Sequence, residues 1–390
     1  MTDKKINDYI LANYQKVLDK TMTRREIAKH CSISEEALRK RWQRMKLPPI
    51  RESIQNKALS PEAELARDIR LGHMSKDKSQ REKKYRILQA QNDDLLAQVS
   101  LIKRAEEITT YQIKAKPSST GEATAVVLAS DFHSEELVRG ESVSGLNEFN
   151  LTLSEKRIKL FFQNIVRLIK DKQEATKIRT LVLALLGDFI TGKIHEEIET
   201  LLDPAEAVVN IQNHLASGIK HLLQNTDVDI LLPCHSGNHG RQTKTTHQGA
   251  EHANSNEYLM YHMLANHFAK EKRVKFLIAK GYHSYMDICG FKIRFHHGHN
   301  IKYGGGVGGI TIPTAKAIAQ WNKANNVDLD CFGHFHQLRF GGNFICNGSL
   351  IGYNAFALAI KADYEKPKQA FFLVNHKRKE VADFNPIWLD

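Results

Sequence analysis

Short, mostly apolar runs punctuate the last two-thirds of this chain: Val126–Ala129, Leu181–Leu186, Ile230–Pro233, Ile293–Phe295 and Leu329–Phe332. Runs of this kind suit strands covered on both faces, because a half-exposed strand alternates apolar and polar positions instead. Between them, 153–172 and 204–224 repeat their apolar positions at helical spacing, so strands and helices alternate, the pattern of α/β layering. After about Lys275 the strands come closer together, which predicts a second, more antiparallel sheet.

The N-terminal part reads differently. Residues 6–18 have helical periodicity. Thr23-Arg24-Arg25-Glu26 fits a capping box that starts a second helix ending near His30. A tight turn follows, Ser34 caps a third helix over about 35–46, and Pro48-Pro49 ends it. This pattern resembles the helix-turn-helix modules of transposases, recombinases and phage proteins. The resemblance implies DNA contact through Arg39, Lys40, Arg41, Arg44 and Lys46; a small helical bundle with a solvated basic face is the alternative. Between residues 85 and 102, Tyr85, Leu88, Asn92, Leu95, Val99 and Ile102 step by three and four. That is a heptad seam with one Asn at a core position, which would make a homodimer through a two-stranded coil. A single amphipathic helix docked on the body of the protein fits the same spacing. The domain reading is therefore 1–50, helix-turn-helix; 51–120, linker and long helix; 121–390, the globular domain.

Charge sharpens the division. Residues 1–120 hold 26 of the 56 Lys and Arg but 16 of the 44 Asp and Glu, a net of +10 out of the chain's +12. Histidine is skewed the other way, with two of 19 before residue 121. One part suits a polyanion, the other metal or proton chemistry. Five cysteines without CxxC spacing read as reduced thiols of a cytoplasmic protein, in a bacterial or phage-infected cell. No apolar run reaches the roughly 18 residues of a membrane span, and no signal peptide is expected.

Each strand run is followed by a short polar motif: Asp131-Phe132-His133, Gly187-Asp188, Gly237-Asn238-His239, His297-Gly298-His299 and Gly333-His334-Phe335-His336. Carboxylate, amide and imidazole ligands gathered from several strand ends suit Mn, with Fe or Zn as alternatives, at a two-metal site. Such a site clamps a phosphate and generates a bridging hydroxide as nucleophile, which is the physical case for phosphoester hydrolysis.

Five motifs in this order, with Asn347-Gly348-Ser349 after them, resemble the calcineurin-like metallophosphoesterase superfamily over residues 124 to about 375. The resemblance implies a four-layer α/β sandwich of two mixed sheets flanked by helices. It implies two divalent metal ions: one on Asp131, His133 and His336, the other on Asn238, His297 and His334, with Asp188 bridging. His239 would be a general acid or phosphate contact rather than a ligand. The chain departs from the family where Gly240 replaces the acidic residue common after this motif, so His239 needs another orienting partner. Phe189-Ile190-Thr191-Gly192 likewise stands where an acid is common. Arg241 is a candidate phosphate contact and His299 a candidate substrate contact. The Gly304–Gly309 run is expected to form a mobile flap, and Tyr303 and Trp321 to pack.

The expected function is a dimetal phosphodiesterase acting on DNA, a nuclease. A phosphomonoesterase or phosphoprotein phosphatase targeted to DNA shares the same motifs. A DNA-binding regulator on a non-catalytic scaffold is the third reading.

Overall fold

The computed structural model describes residues 2–19, 21–47, 80, 82–89, 92, 111–114, 121–195, 197–247, 249–303 and 308–390. The chain divides into two compact units, Met1–Leu96 and Ala97–Asp390.

The first unit holds α1 (Asp3–Leu18), α2 (Arg24–His30) and α3 (Glu35–Arg44). Thr23 closes a capping box with Glu26, and the Ser34 hydroxyl accepts from the Ala37 N–H. Ile6, Ile10, Val17, Ile27, Leu38 and Trp42 form its core. Arg39, Lys40, Arg44 and Lys46 are exposed. Arg41 instead turns toward α1, donating to Asn7 and Asp3. Residues 82–89 are helical, with Tyr85 and Leu88 exposed. The rest of the expected seam, Leu95, Val99 and Ile102, lies outside the described residues, as does 304–307 of the expected flap.

The second unit runs β1 (Tyr111–Ile113), β2 (Glu122–Ala129), α4 (Leu151–Gln173), β3 (Lys177–Leu185), α5 (Pro204–Asn225), β4 (Asp229–Cys234), α6 (Asn256–His267), β5 (Val274–Ile278), β6 (Ser284–Ile288), β7 (Phe291–Phe295), α7 (Thr311–Trp321), β8 (Leu329–Phe332), β9 (Arg339–Phe340), β10 (Phe344–Cys346), α8 (Ala355–Ala359), β11 (Lys368–Asn375) and β12 (Glu380–Trp388). Two six-stranded sheets result, in the orders β12-β11-β2-β3-β4-β5 and β1-β6-β7-β8-β10-β9. β1 comes from a stretch read as linker; it pairs in parallel with β6 at the sheet edge.

Burial explains the unbroken apolar runs. Along β2, Ala125, Val127 and Ala129 face a core shared with α4 and α5, while Val126 and Leu128 face the other sheet. A third cluster packs Phe332, Phe344 and Cys346 against Ile318 of α7. The result is the expected four-layer α/β sandwich of two mixed sheets. The second sheet corrects one expectation. Three of its five pairings are parallel, the same proportion as in the first. Strands close in sequence need not be hairpin partners: β6–β7 and β9–β10 are, but β8 joins β7 in parallel after α7 and β10 in parallel on its other side. Among the described residues, no helix is long and apolar enough to cross a membrane.

Candidate metal centre

Parallel order brings the motifs together. β2, β3 and β4 lie side by side, so the segments after them (131–133, 187–188 and 237–239) emerge from one end of the first sheet. β7, β8 and β10 do the same for 297–299, 333–336 and 347–349 in the second. Hydrogen bonds stitch the two sets. The Asp131 N–H donates to Gly187 O, and the His133 N–H to Asp188 O. Across the sheets, the His334 N–H donates to the Asp131 carboxylate at 3.0 Å and His297 Nδ1 lies 2.7 Å from Leu186 O.

The motif glycines are there for space. A Cβ on Gly237 would collide with the Asp188 carboxylate, and one on Gly333 with Asp131 and Ser130. Five of the predicted ligands sit in strained backbone. Asp131, His133, Asp188, His334 and His336 have φ of 56°, 45°, 54°, 73° and 55°, five of the twelve described non-glycine residues in the left-handed region. Such conformations cost on the order of 1–3 kcal/mol each, and they concentrate at functional sites because only the surrounding structure can impose them.

Three sets of donor atoms come within 4.8 Å of one another: Asp131 with His133 and His336, Asp188 with His297 and His334, and His133 with Asp188 and His239. Asp131, His133, Asp188, His297 and His336 are buried. Asn238 joins the second set through its Oδ1, 3.1 Å from His297 Nε2. These donors fit divalent cations. His133 Nε2 and His336 Nδ1 are buried without a hydrogen-bond partner, a state protein interiors avoid unless something else satisfies the atom. Burial, then neighbouring imidazoles, pushes His133 and His334 well below the usual imidazole range; both are neutral and offer lone pairs. His297 behaves oppositely. Burial opposes its charge, but the Asp188 carboxylate 2.9 Å away pushes it up to about 10.

Behind the ligands lies a layer that sequence reading missed. Thr191 Oγ1 lies 3.0 Å from His133 Nδ1 and donates to Glu136, whose other oxygen accepts from Asn354. This chain fixes the tautomer that leaves Nε2 free. Glu135 accepts from the Thr191 and Gly192 N–H groups. Ser130 donates to Asp131, Asn347 to Ser130, and Asn347 and Gln369 bond each other. Glu257, at the start of α6 and fully buried, takes the Phe189 N–H on one oxygen at 2.6 Å and the Gly237 N–H on the other at 2.7 Å. It clamps the loops carrying Asp188 and Asn238. The adjacent Glu135-Glu136 pair, just after His133, was a readable signal; nothing marked Glu257.

His239 finds its orienting partner in Thr191 O, 3.1 Å from Nδ1, and its N–H donates to Asp188. Gly240 is required there: a Cβ would meet Glu257 at 2.7 Å. Arg241 donates to the backbone carbonyls of Asn238 and Thr243. His299 stands beside His297, ring centroids 5.5 Å apart. Tyr303 packs with Phe335, and Trp321 with His283 and His296. A narrow cleft of about 10 Å³ lies against Asp188 and His239, lined also by Ile198, Asn354 and Phe356.

Fold and site together define a two-sheet α/β sandwich with a buried Asp/His centre suited to metal ions. No protein-family profile and no curated protein matches the chain. Among solved structures it is similar to a Vps29 point mutant from Entamoeba histolytica, with 13% identity over 67% of this chain and 98% of that one, at a TM-score of 0.26. It is also similar to the sulfate thiohydrolase SoxB of Thermus thermophilus in complex with glycerol, with 10% identity over 71% of this chain and 58% of that one, at a TM-score of 0.30.

Proposed function

We propose that this protein is a metal-dependent phosphoesterase of the calcineurin-like type and that its substrate is DNA. The observation that carries the chemistry is the pair of donor sets, Asp131/His133/His336 and Asp188/His297/His334, the first with two buried imidazole nitrogens, His133 Nε2 and His336 Nδ1, left without a hydrogen-bond partner. Cations held there would supply Lewis acidity at a phosphoryl group and a nucleophile at neutral pH. Asn238 would complete the second set, and Asp188, which also comes together with His133, would serve both.

The remaining roles belong to the chain. His239 sits on the flank with His133, its ring oriented by Thr191 O. Burial holds it below the usual imidazole range; the negative charge of a bound phosphoester favours the protonated ring, which then donates to the leaving-group oxygen. The layer of Thr191, Glu136, Ser130, Asn347 and Glu257 holds the ligands in place. The DNA assignment rests on the basic excess of residues 1–120 and on exposed Arg39, Lys40, Arg44 and Lys46, since phosphate neutralisation dominates nucleic-acid affinity. Dimerisation through 85–102 would present two catalytic units to one duplex.

The narrow cavity over Asp188 favours a second reading, a phosphomonoesterase brought to DNA by its first unit. A Mn²⁺-dependent panel separates the two: bis-p-nitrophenyl phosphate, labelled single- and double-stranded DNA, and p-nitrophenyl phosphate, each with wild type and His334→Ala. Cleavage of DNA and the diester, lost in the variant, is expected. Turnover of the monoester alone would move the protein to the second reading, and no turnover by metal-replete protein would defeat both.

A further inference from the structure

Next to His239 the chain builds a second cavity, open to solvent and about 380 Å³ in volume. Gly192, Lys193, Arg241, Gln242, Lys244 and Asn256 line it. It adjoins the candidate centre through two short connections. Gly240 alone separates Arg241 from His239, and Gly192 follows Thr191, whose carbonyl orients the His239 ring. A Cβ on Gly192 would meet His239 O at 2.8 Å. The wall is held in place: Arg241 forms a β-bridge with Ser255, the Gln242 N–H donates to Asn254 O, and the Asn256 N–H donates to Gly240 O. The Arg241 guanidinium is fixed as well. Its Nε and Nη1 donate to Thr243 O and Asn238 O, which leaves Nη2 for a ligand. The charge here is positive. Lys193 pairs with Asp203, the N-cap of α5, but Lys244 is exposed, and neither it nor Arg241 has an acidic partner among the described residues. The first turns of α5 and α6 reach the same wall, at Pro204 and Asn256, and bring the positive ends of two helix dipoles to it. Such a cavity attracts an anion. None of its residues belongs to the metal-donor sets.

We propose that this cavity holds the phosphate next to the scissile one in a nucleic-acid strand, on the leaving-group side. The inference rests on the phosphoesterase reading and gives that site a substrate class. In that reading His239 serves the leaving-group oxygen, and the cavity lies on the His239 side of the centre, so the departing part of the strand runs toward Arg241 and Lys244. Arg241 Nη2 and Lys244 Nζ donate to the phosphate oxygens in charge-assisted bonds. The Lys193–Asp203 pair is exposed on both sides, so it is weakly held and leaves Lys193 able to turn to the strand. A phosphomonoester of a protein side chain has no neighbouring phosphate to place there, whereas a strand has one at every step. The open form of the cavity lets the strand continue past it.

Two measurements on the full-length protein test this. The first is cleavage of the internal bond of the dinucleotides TpT, pTpT and TpTp by Mn²⁺-loaded protein. Whichever phosphorylated dinucleotide carries its extra phosphate on the leaving side is expected to exceed TpT in kcat/KM by at least about tenfold. That ratio is expected to fall toward unity in Arg241→Ala and Lys244→Glu and to survive in Lys244→Arg. Lys244 is exposed, so its substitution spares the fold even where loss of Arg241, with its backbone bonds, does not. The second is ³¹P NMR line broadening of thymidine 3′,5′-bisphosphate by metal-free protein in EDTA, expected in wild type and reduced in Arg241→Ala and Lys244→Glu. Cleavage of TpT with no preference for either longer dinucleotide, and broadening unaltered by these substitutions, would overturn the subsite and leave the phosphoesterase standing. Broadening that depends on Arg241 and Lys244, without cleavage of any dinucleotide or of bis-p-nitrophenyl phosphate, would support the anion site and sink the phosphoesterase.

Discussion

Glu257→Gln probes the buried clamp and its coupling to metal. Burial first, then the neighbouring Asp188 carboxylate, pushes Glu257 up to about 8. A carboxyl raised in the folded state stabilises the fold below its unfolded value, near 4.5, and that contribution is lost as pH rises through the folded value. Metal-free wild type should therefore lose stability between about pH 4.5 and 8, by at most about 1.4 kcal/mol per pH unit from this group. Glu135, pushed up to about 7 mainly by burial, acts in the same direction and remains in the variant. Glu257→Gln should flatten the slope without abolishing it. Cations on the Asp188 set reverse the balance: they offset Asp188 and favour ionised Glu257, which accepts from both Phe189 and Gly237. A glutamine accepts one and turns its NH₂ on the other, at a cost of about 1–3 kcal/mol. That is about tenfold or more in metal affinity, and a fall of roughly 2–10 °C in the melting temperature of Mn²⁺-loaded protein. Thermal melts from pH 5 to 9, with EDTA and with Mn²⁺, together with metal titration calorimetry, read both arms. Identical pH slopes in EDTA and unchanged Mn²⁺ affinity would refute the reasoning.

Other outcomes follow from the same geometry. Asp188→Asn and His334→Ala should reduce phosphoester hydrolysis to background; full turnover by either in a metal-replete assay would remove the site assignment. Thr191→Val keeps the carbonyl that orients His239 but loses the hydroxyl at His133, so metal affinity or activity should fall about 10–100-fold; an unchanged Mn²⁺ titration would contradict that role. His239→Ala should slow cleavage of DNA by roughly 10²–10⁴-fold and of p-nitrophenyl esters, whose leaving group needs little protonation, far less; equal losses on both would exclude a general acid. Arg39, Lys40 and Arg44 changed together to Ala should lower the salt slope of DNA binding by up to about 0.9 for each phosphate no longer neutralised, and an unaltered slope would take α3 off the DNA.

The clustered Asp and His residues could be picked out in the sequence because each is tied to a local signal. An apolar run ends, the chain must turn, and a glycine stands beside a carboxylate or imidazole where two loops press together, as Gly237 does against Asp188. Strand periodicity and glycine placement are local, so the five motifs carry their own context. The layer behind them has no such signature. Glu257 begins α6, and its function is set by Phe189, 68 positions earlier, and by Gly237. From its neighbours it reads as an ordinary helix-start acid, which satisfies the dipole at the surface. Sheet order fails for the same reason. Whether β8 pairs with β7 in parallel or antiparallel depends on where α7 packs, and only burial of Ile318 against Phe332 and Phe344 settles that.

That asymmetry bears on how the site is built. Five ligand residues hold left-handed backbone, so the ligand set stays in place only if the surrounding structure over-determines it. The determinants are the long-range ones: Asp131 O accepting from Leu350 N–H, Gly187 O from Asp131 N–H, Leu186 O against His297, and Glu257 joining two loops. A sequence that kept all five motifs but lost Glu257 or Ser130 would retain every ligand and hold them less well. Disruption of this second layer should therefore appear first as weakened metal affinity and only later as a lost fold. The two sheets bury enough apolar surface to persist without it, whereas no ligand loop carries a core of its own.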